Sequence, residues 1–101
     1  MSHSISANAT TQILNVDGAL DALSSPELRP TLDALTRDEG CNIMVDLTGL
    51  NHLDSSGVGL LVSLHKCARA NHGRVSFIGV KNQPLCIFKL LGLDRAFDMA
   101  A

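Results

Sequence analysis

The chain has 101 residues, enough for one domain and too few for two. Its apolar fraction of 46% belongs to a globular protein and excludes a disordered one. A net charge of −2, with three Phe and no Trp or Tyr, argues against nucleic acid and against an anionic membrane surface.

Charge is uneven along the chain: residues 1–50 carry −5 and residues 51–101 carry +3. In one compact domain the halves interleave, so this is a weak sign of a polarised surface. The opening "MSHSISANATTQ" has neither a basic start nor an apolar core, so no secretion signal is visible. The apolar run "VGLLVSL" is far shorter than a membrane span. Cys41, Cys67 and Cys86 are odd in number and lack CxxC spacing, which fits a reducing compartment. A cytoplasmic protein without direct membrane insertion is expected.

Residues 1–10 read as a flexible tail or a weak edge strand. "TQILNV" (Thr11–Val16) reads as a strand ended by the turn signal Asp17-Gly18. "ALDALSSPELRPTLDALTRDEG" then reads as a helix. Ser24 and Glu27 have capping-box spacing, Pro26 suits the first turn, Leu28, Leu32 and Leu35 recur at helical intervals, and Gly40 supplies a stop. Pro30 either kinks this helix or marks its start.

"CNIMVDL" (Cys41–Leu47) has the continuous apolar character of a strand covered on both faces. "TGLNHLDSSG" reads as a loop. A helix is expected from Ser56 or Gly57 to His72, with Val58, Leu61, Val62, His65 and Ala68 on one face. "RVSFIGV" reads as a strand, and "NQPLCIFKLLG" as a short helix capped by Asn82. Alternating strands and helices imply βαβ crossovers and a mainly parallel sheet flanked by helices. Function in such sheets sits at strand-to-helix turns, and "HLDSSGVG" is one of them.

Four chemistries compete for that turn. A nucleophile elbow needs Gly-x-Ser-x-Gly, and the position two before Ser55 is Leu53. A triad from Asp54, Ser55 and His52 or His65 would draw on neighbours that rarely meet in the needed geometry. A phosphate loop lacks its Gly-Lys-Ser/Thr, and Asp54 would repel the phosphate. Helix capping by Ser55 or Ser56 is common, yet leaves the second hydroxyl and the Gly57/Gly59 pair without a purpose. The fourth is modification: a serine at a helix N-terminus tolerates a phosphate, and about −2 of new charge beside Asp54 would break a partner contact there. The flanking glycines would let a partner backbone approach.

Three stretches resemble one known family. "VDGALDALSSPELRPTL" is similar to its strand–turn–helix entry, "IMVDLTGLNHLDSSGVGLLVSLHKCARANHGRVSFIGV" to its central strand, Asp-Ser-Ser-Gly turn and long helix, and "LLGLDRAFDM" to its C-terminal stretch. The family is the STAS domain, in its anti-sigma-factor-antagonist branch, and the resemblance runs from Ile13 to Phe97. It implies a single α/β domain over 1–101 with a mainly parallel or mixed sheet of about four strands. It also implies partner switching without catalysis or cofactor in this chain. The unphosphorylated antagonist binds an anti-sigma factor that is a serine kinase of the histidine-kinase-like ATPase fold. Phosphorylation of Ser55, which matches the family's acceptor, releases it, and a PP2C-type phosphatase restores it. Asp54, Ser56, Gly57 and Val58 complete the matching turn. Asp17, Gly18, Asp21 and Ser24, in a loop the family places nearby, join the expected contact surface. The chain stops at "FDMAA", where family members continue through a further short element and a helix.

Two rivals stand beside this reading: a STAS subunit that docks on a transporter's nucleotide-binding component, and a small hydrolase using Ser55. His65, Cys67 and His72 lack the spacing of a metal site, and Cys67 reads as a small packed residue.

Overall fold

A computed structural model describes residues 1–8 and 10–99. In chain order the elements are β1 (Ser2–Asn8), β2 (Thr11–Leu20), α1 (Ser25–Leu35), β3 (Asn42–Asp46), β4 (Leu50–Leu53), α2 (Ser55–Ala70), β5 (Arg74–Ile78), α3 (Asn82–Leu90), α4 (Leu93–Ala96) and β6 (Asp98–Met99). Six strands form a mixed sheet in the order β1-β2-β3-β5-β6, with β4 added alongside β2. Only β1 runs antiparallel to its neighbour. The α/β class and mixed sheet match expectation, with two more strands than foreseen.

Alternation builds the core. Leu14 and Val16 of β2, Ile43 and Val45 of β3, and Val75 and Phe77 of β5 are all buried. They lie at every second position and so share one face of the sheet. Leu28, Leu32 and Leu35 of α1, Leu60, Leu61 and Leu64 of α2, and Phe88 of α3 join the same cluster. The helices thus pack on one face. The alternate residues of β3 (Asn42, Met44, Asp46) are only half-buried, so the two-sided cover read from Cys41–Leu47 is not realised.

The N-terminal stretch is an edge strand, paired with β2 from Ser2↔Asp17 to Asn8↔Thr11. Asp17-Gly18 does not end β2. The strand continues to Leu20, with Gly18 at φ +85° beside a register shift where β2 changes partners. Its first half pairs with β3 (Gln12–Asn15 against Ile43–Asp46) and its last residues pair with β4 (Gly18–Leu20 against Leu50–Leu53). A positive φ suits glycine, and the bulge re-aims the strand end towards α2. "LNHL", expected as loop, is therefore a strand with Leu50 and Leu53 buried and Asn51 and His52 exposed.

α1 starts at Ser25, where the Ser24/Glu27 spacing and Pro26 place its first turn, while Ala19 and Leu20 at the head of the expected segment belong to β2. Ser24 precedes it in helical φ/ψ and makes no capping bond, so the predicted capping box does not form. Pro26 occupies the first turn as anticipated, and Pro30 lies inside the helix on its exposed side. Lys81, not Asn82, occupies the cap position of α3, and Asn82 takes φ +57°. Beyond α3 the chain adds α4 and the short β6, while Ala100 and Ala101 of "FDMAA" lie outside the described residues.

All three phenylalanines meet in one cluster. Phe77 stacks on Phe97 at 4.5 Å between ring centroids, and Phe88 stands edge-on to both at 6.0 and 5.7 Å. Such pairs add about 0.5–1.5 kcal/mol beyond burial, and here they fasten α3 and the C-terminal segment to β5. Replacing Phe77 by Ala removes the centre of the cluster. It is expected to cost about 3–5 kcal/mol in a urea unfolding titration.

Candidate functional site

β4 delivers the chain to Asp54, the N-cap of α2, in extended conformation (φ −111°, ψ −174°). Asp54 Oδ1 accepts the Gly57 N–H at 3.0 Å, while Oδ2 accepts the Ala22 N–H at 3.2 Å. The Asp54 N–H in turn donates to the Leu20 carbonyl at 3.3 Å. One residue thus caps a helix and joins it to the loop after β2.

With Asp54 as the cap, the capping role expected of Ser55 or Ser56 does not arise. Both are exposed first-turn residues of α2, and among the described residues neither hydroxyl makes a hydrogen bond within the protein. Their backbone N–H groups belong to the first turn, where a helix leaves donors unpaired and the field favours an anion.

Gly57 is required by the protein's own packing. A Cβ there would lie 2.5 Å from the Leu20 carbonyl oxygen and 2.6 Å from Leu53 Cδ1. Gly59 meets nothing within 4 Å. Close approach at Gly57 also sets the rotation of α2: its buried residues are Gly57, Leu60, Leu61, Leu64 and Ala68. Val58, Val62 and His65, expected on the core face, are half-buried at its margin.

The loop from Asp21 to Ser24 is closed by its own hydrogen bonds. Asp21 Oδ1 accepts the N–H groups of Leu23 and Ser24, both at 3.0 Å, and the Ser24 hydroxyl at 3.1 Å. The Ser24 hydroxyl also lies 3.0 Å from the Ala19 carbonyl oxygen and accepts the Asp21 N–H at 2.9 Å. The Ser24 backbone N–H and hydroxyl, then the Leu23 N–H and the nearby His52, hold the Asp21 carboxyl below the ordinary aspartate value. Ser24 is itself buried, so it shapes this surface without presenting its hydroxyl.

Of the residues singled out from the sequence, Asp21, Ser24 and Asp54–Val58 come together here. Asp17 and Gly18 sit at the other end of the β2–β4 pairing, roughly 10 Å along the strand. There the Gly18 N–H donates to the Gly49 carbonyl at 2.9 Å and Asp17 lies against Gly49. One residue was not foreseen. The Gln83 side chain, from the first turn of α3, accepts the Leu53 N–H and donates to the Leu53 carbonyl, both at 2.8 Å. It completes the open edge of β4 one residue before Asp54, and no local pattern around Gln83 signals that role.

His65 and His72 do not share a face. His65 packs on Phe97 at 5.0 Å, and burial, then Arg69, lowers its pKa. His72 lies past the end of α2 at φ +59°, 3.5 Å from Glu39. Cys67, expected to be packed, is exposed: it lies two turns beyond Leu60 at the margin of the buried face, where it borders a small cleft with Arg29 and Asp33 of α1. Among the described residues no group of three or more His, Cys, Asp or Glu is placed to hold a metal ion, and no helix is long and apolar enough to cross a membrane.

Two substitutions separate the glycines. Gly57→Ala is expected to destabilise by at least about 1–3 kcal/mol through overpacking. Gly59→Ala, in open space inside the helix, is expected to stabilise by about 0.5–1 kcal/mol. Urea titration of both variants measures the contrast. A third expectation concerns acid. Because folding lowers the Asp21 pKa, its contribution is complete above the unfolded value and is lost as pH falls through the folded one. Between about pH 5 and pH 2 the wild type should lose stability more steeply than Asp21→Asn. Parallel curves in pH-dependent urea titrations would remove Asp21 from the account.

A family model described as "Mlab, STAS domain" matches residues 3–100. The anti-sigma-B factor antagonist of Staphylococcus aureus is 31% identical over 80 residues, covering 79% of this chain and 74% of that protein. The one from Listeria monocytogenes is 28% identical over 84 residues, covering 83% and 74%. Among solved structures, a putative anti-sigma factor antagonist from Thermotoga maritima superimposes with a TM-score of 0.87 at 17% identity, covering 96% of this chain and 84% of that one. The Bacillus cell fate determinant SpoIIAA in its phosphorylated form gives 0.75 at 21%, covering 99% and 92%. At these identities the structural likeness shows the fold. Matched from residue 3 to residue 100, the chain belongs to the STAS domain family.

Proposed function

We propose that this chain is an anti-sigma-factor antagonist that works by partner switching, with Ser55 as its phosphate acceptor. The observation that carries the reading is the division of labour at the turn: Asp54 caps the helix, and the exposed Ser55 hydroxyl is left unengaged on a rigid first turn. The names of the Staphylococcus and Listeria relatives support the antagonist role, and the phosphorylated SpoIIAA structure supports phosphate chemistry in this fold.

The partner is an anti-sigma factor that is also a serine kinase of the histidine-kinase-like ATPase fold, acting in the cytoplasm where ATP is at hand. Unmodified, the surface formed by Asp21, Ser24 and Asp54–Val58 binds that kinase. The kinase transfers the γ-phosphoryl group of its ATP to Ser55 Oγ. The new O–P bond replaces the bond to ADP, and the hydroxyl proton passes to a base on the kinase. About two negative charges then stand beside Asp54 in the contact, and repulsion with loss of hydration parts the two proteins. A PP2C-type phosphatase hydrolyses the ester and resets the cycle. In this scheme the chain is substrate and regulator, and the nucleotide belongs to its partner.

The test is intact mass after incubation with ATP and each purified histidine-kinase-like serine kinase from the organism that encodes this chain. Wild type should gain one phosphate, and Ser55→Ala none. Ser55→Ala should keep its affinity for the kinase, while Ser55→Glu should lose at least about tenfold by calorimetry. A wild type that binds the kinase tightly and is never modified would remove Ser55 as acceptor and favour a constitutive docking subunit.

A further inference from the structure

The loop between β2 and α1 holds its backbone still and sets one side chain free. The Leu23 N–H is bound to Asp21 Oδ1 at 3.0 Å, and the preceding Ala22 N–H is bound to Asp54 Oδ2 at 3.2 Å. Asp21 and Ser24, on either side, are locked to each other. Yet the Leu23 side chain is 90% exposed, more than any other large apolar side chain among the described residues. Full burial of a leucine is worth about 1.5–3 kcal/mol, which the folded chain forgoes at this position.

Its place in the chain sets that exposure next to the Ser55 turn. One residue away, the Ala22 N–H contacts the cap of the helix whose first residue is Ser55. Ala22 and Ser56 also line one shallow groove, together with Pro26, Arg29 and Pro30 of α1. An enzyme that brings a phosphorus atom to bonding distance of Ser55 Oγ must cover this ground. A side chain carried on a backbone already tied down by hydrogen bonds adds less ordering cost when a partner covers it. The exposed Leu90 and Leu91 lie at the end of α3, with no comparable link to the turn.

We infer that Leu23 is the apolar anchor by which the serine kinase engages the Ser55 turn. The receiving site on the kinase is an apolar pocket with a basic rim, complementary to the carboxylates of Asp21 and Asp54 beside the leucine. This rests on the reading of Ser55 as phosphate acceptor, and it adds the residue that secures affinity for the enzyme.

The experiment uses the full chain and the kinase that modifies wild type in the mass assay. Initial phosphorylation rates are measured for wild type, Leu23→Ala and Leu23→Met, with a thermal melt of each. Leu23→Ala should raise KM by about tenfold or more at a kcat within about twofold of wild type, the pattern of lost uniform binding. Leu23→Met should stay near wild type, and all three should melt alike, because the side chain packs on nothing. Modification of Leu23→Ala with wild-type KM, or a loss confined to kcat, would overturn the anchor while leaving Ser55 as acceptor. If no kinase modifies wild type, the Ser55 reading falls and the anchor falls with it.

Discussion

The Asp54 carboxylate is the joint on which the rest of the site depends. Its two oxygens accept N–H groups from elements that are distant in sequence, Gly57 in α2 and Ala22 after β2. A cap of this kind contributes about 1 kcal/mol, and hydrogen bonds to a charged acceptor about 1.5–3 kcal/mol each. These sums are small against a whole domain, but they act together with the Gln83–Leu53 pair and the Asp54 N–H bond to the Leu20 carbonyl on one short stretch. They hold β4, the β2–α1 loop and the start of α2 in one arrangement.

Magnitudes also decide what a phosphate on Ser55 would do. Two unit charges about 4 Å apart in water repel by about 1 kcal/mol, so a phosphate of charge about −2 presses on Asp54 with about 2 kcal/mol. The helix N-terminus returns about 0.3–1 kcal/mol of that. On the proposed reading, the two N–H bonds to Asp54 would outweigh the remainder and the turn would keep its shape. A phosphate there would then act on whatever covers the turn, where water is excluded and the same charge weighs several times more.

The parts of the fold legible in the sequence were those that local pattern dictates. α2, β3, β5 and α3 each carry a continuous or periodic apolar run, and the structure has them within a few residues of expectation. β4 escaped because Asn51 and His52 face outward, leaving only Leu50 and Leu53 to signal a strand. Asp17-Gly18 resembled a turn because a bulge and a turn ask for the same residues, and only the neighbour β4 decides between them. Ser24 and Glu27 had capping spacing, but the Ser24 hydroxyl finds the Ala19 carbonyl and the Asp21 N–H instead. At the candidate site the turn Asp54–Val58 is contiguous in sequence, whereas the ties of Asp54 to Ala22 and of Leu53 to Gln83 span 32 and 30 positions and leave no local trace.

The aromatic cluster has a spectroscopic consequence. Phe77, Phe88 and Phe97 are all the phenylalanines of a chain without Trp or Tyr, and they lie together beneath α3 and β6. Their ring currents shift the nuclear resonances of nearby methyl groups in the core, whereas Ser55 and Ser56 are exposed. A change confined to the Ser55 turn leaves those resonances in place, whereas a rearrangement of the whole domain displaces them. The molecule thus carries its own internal reference against which a local switch can be told from a global one.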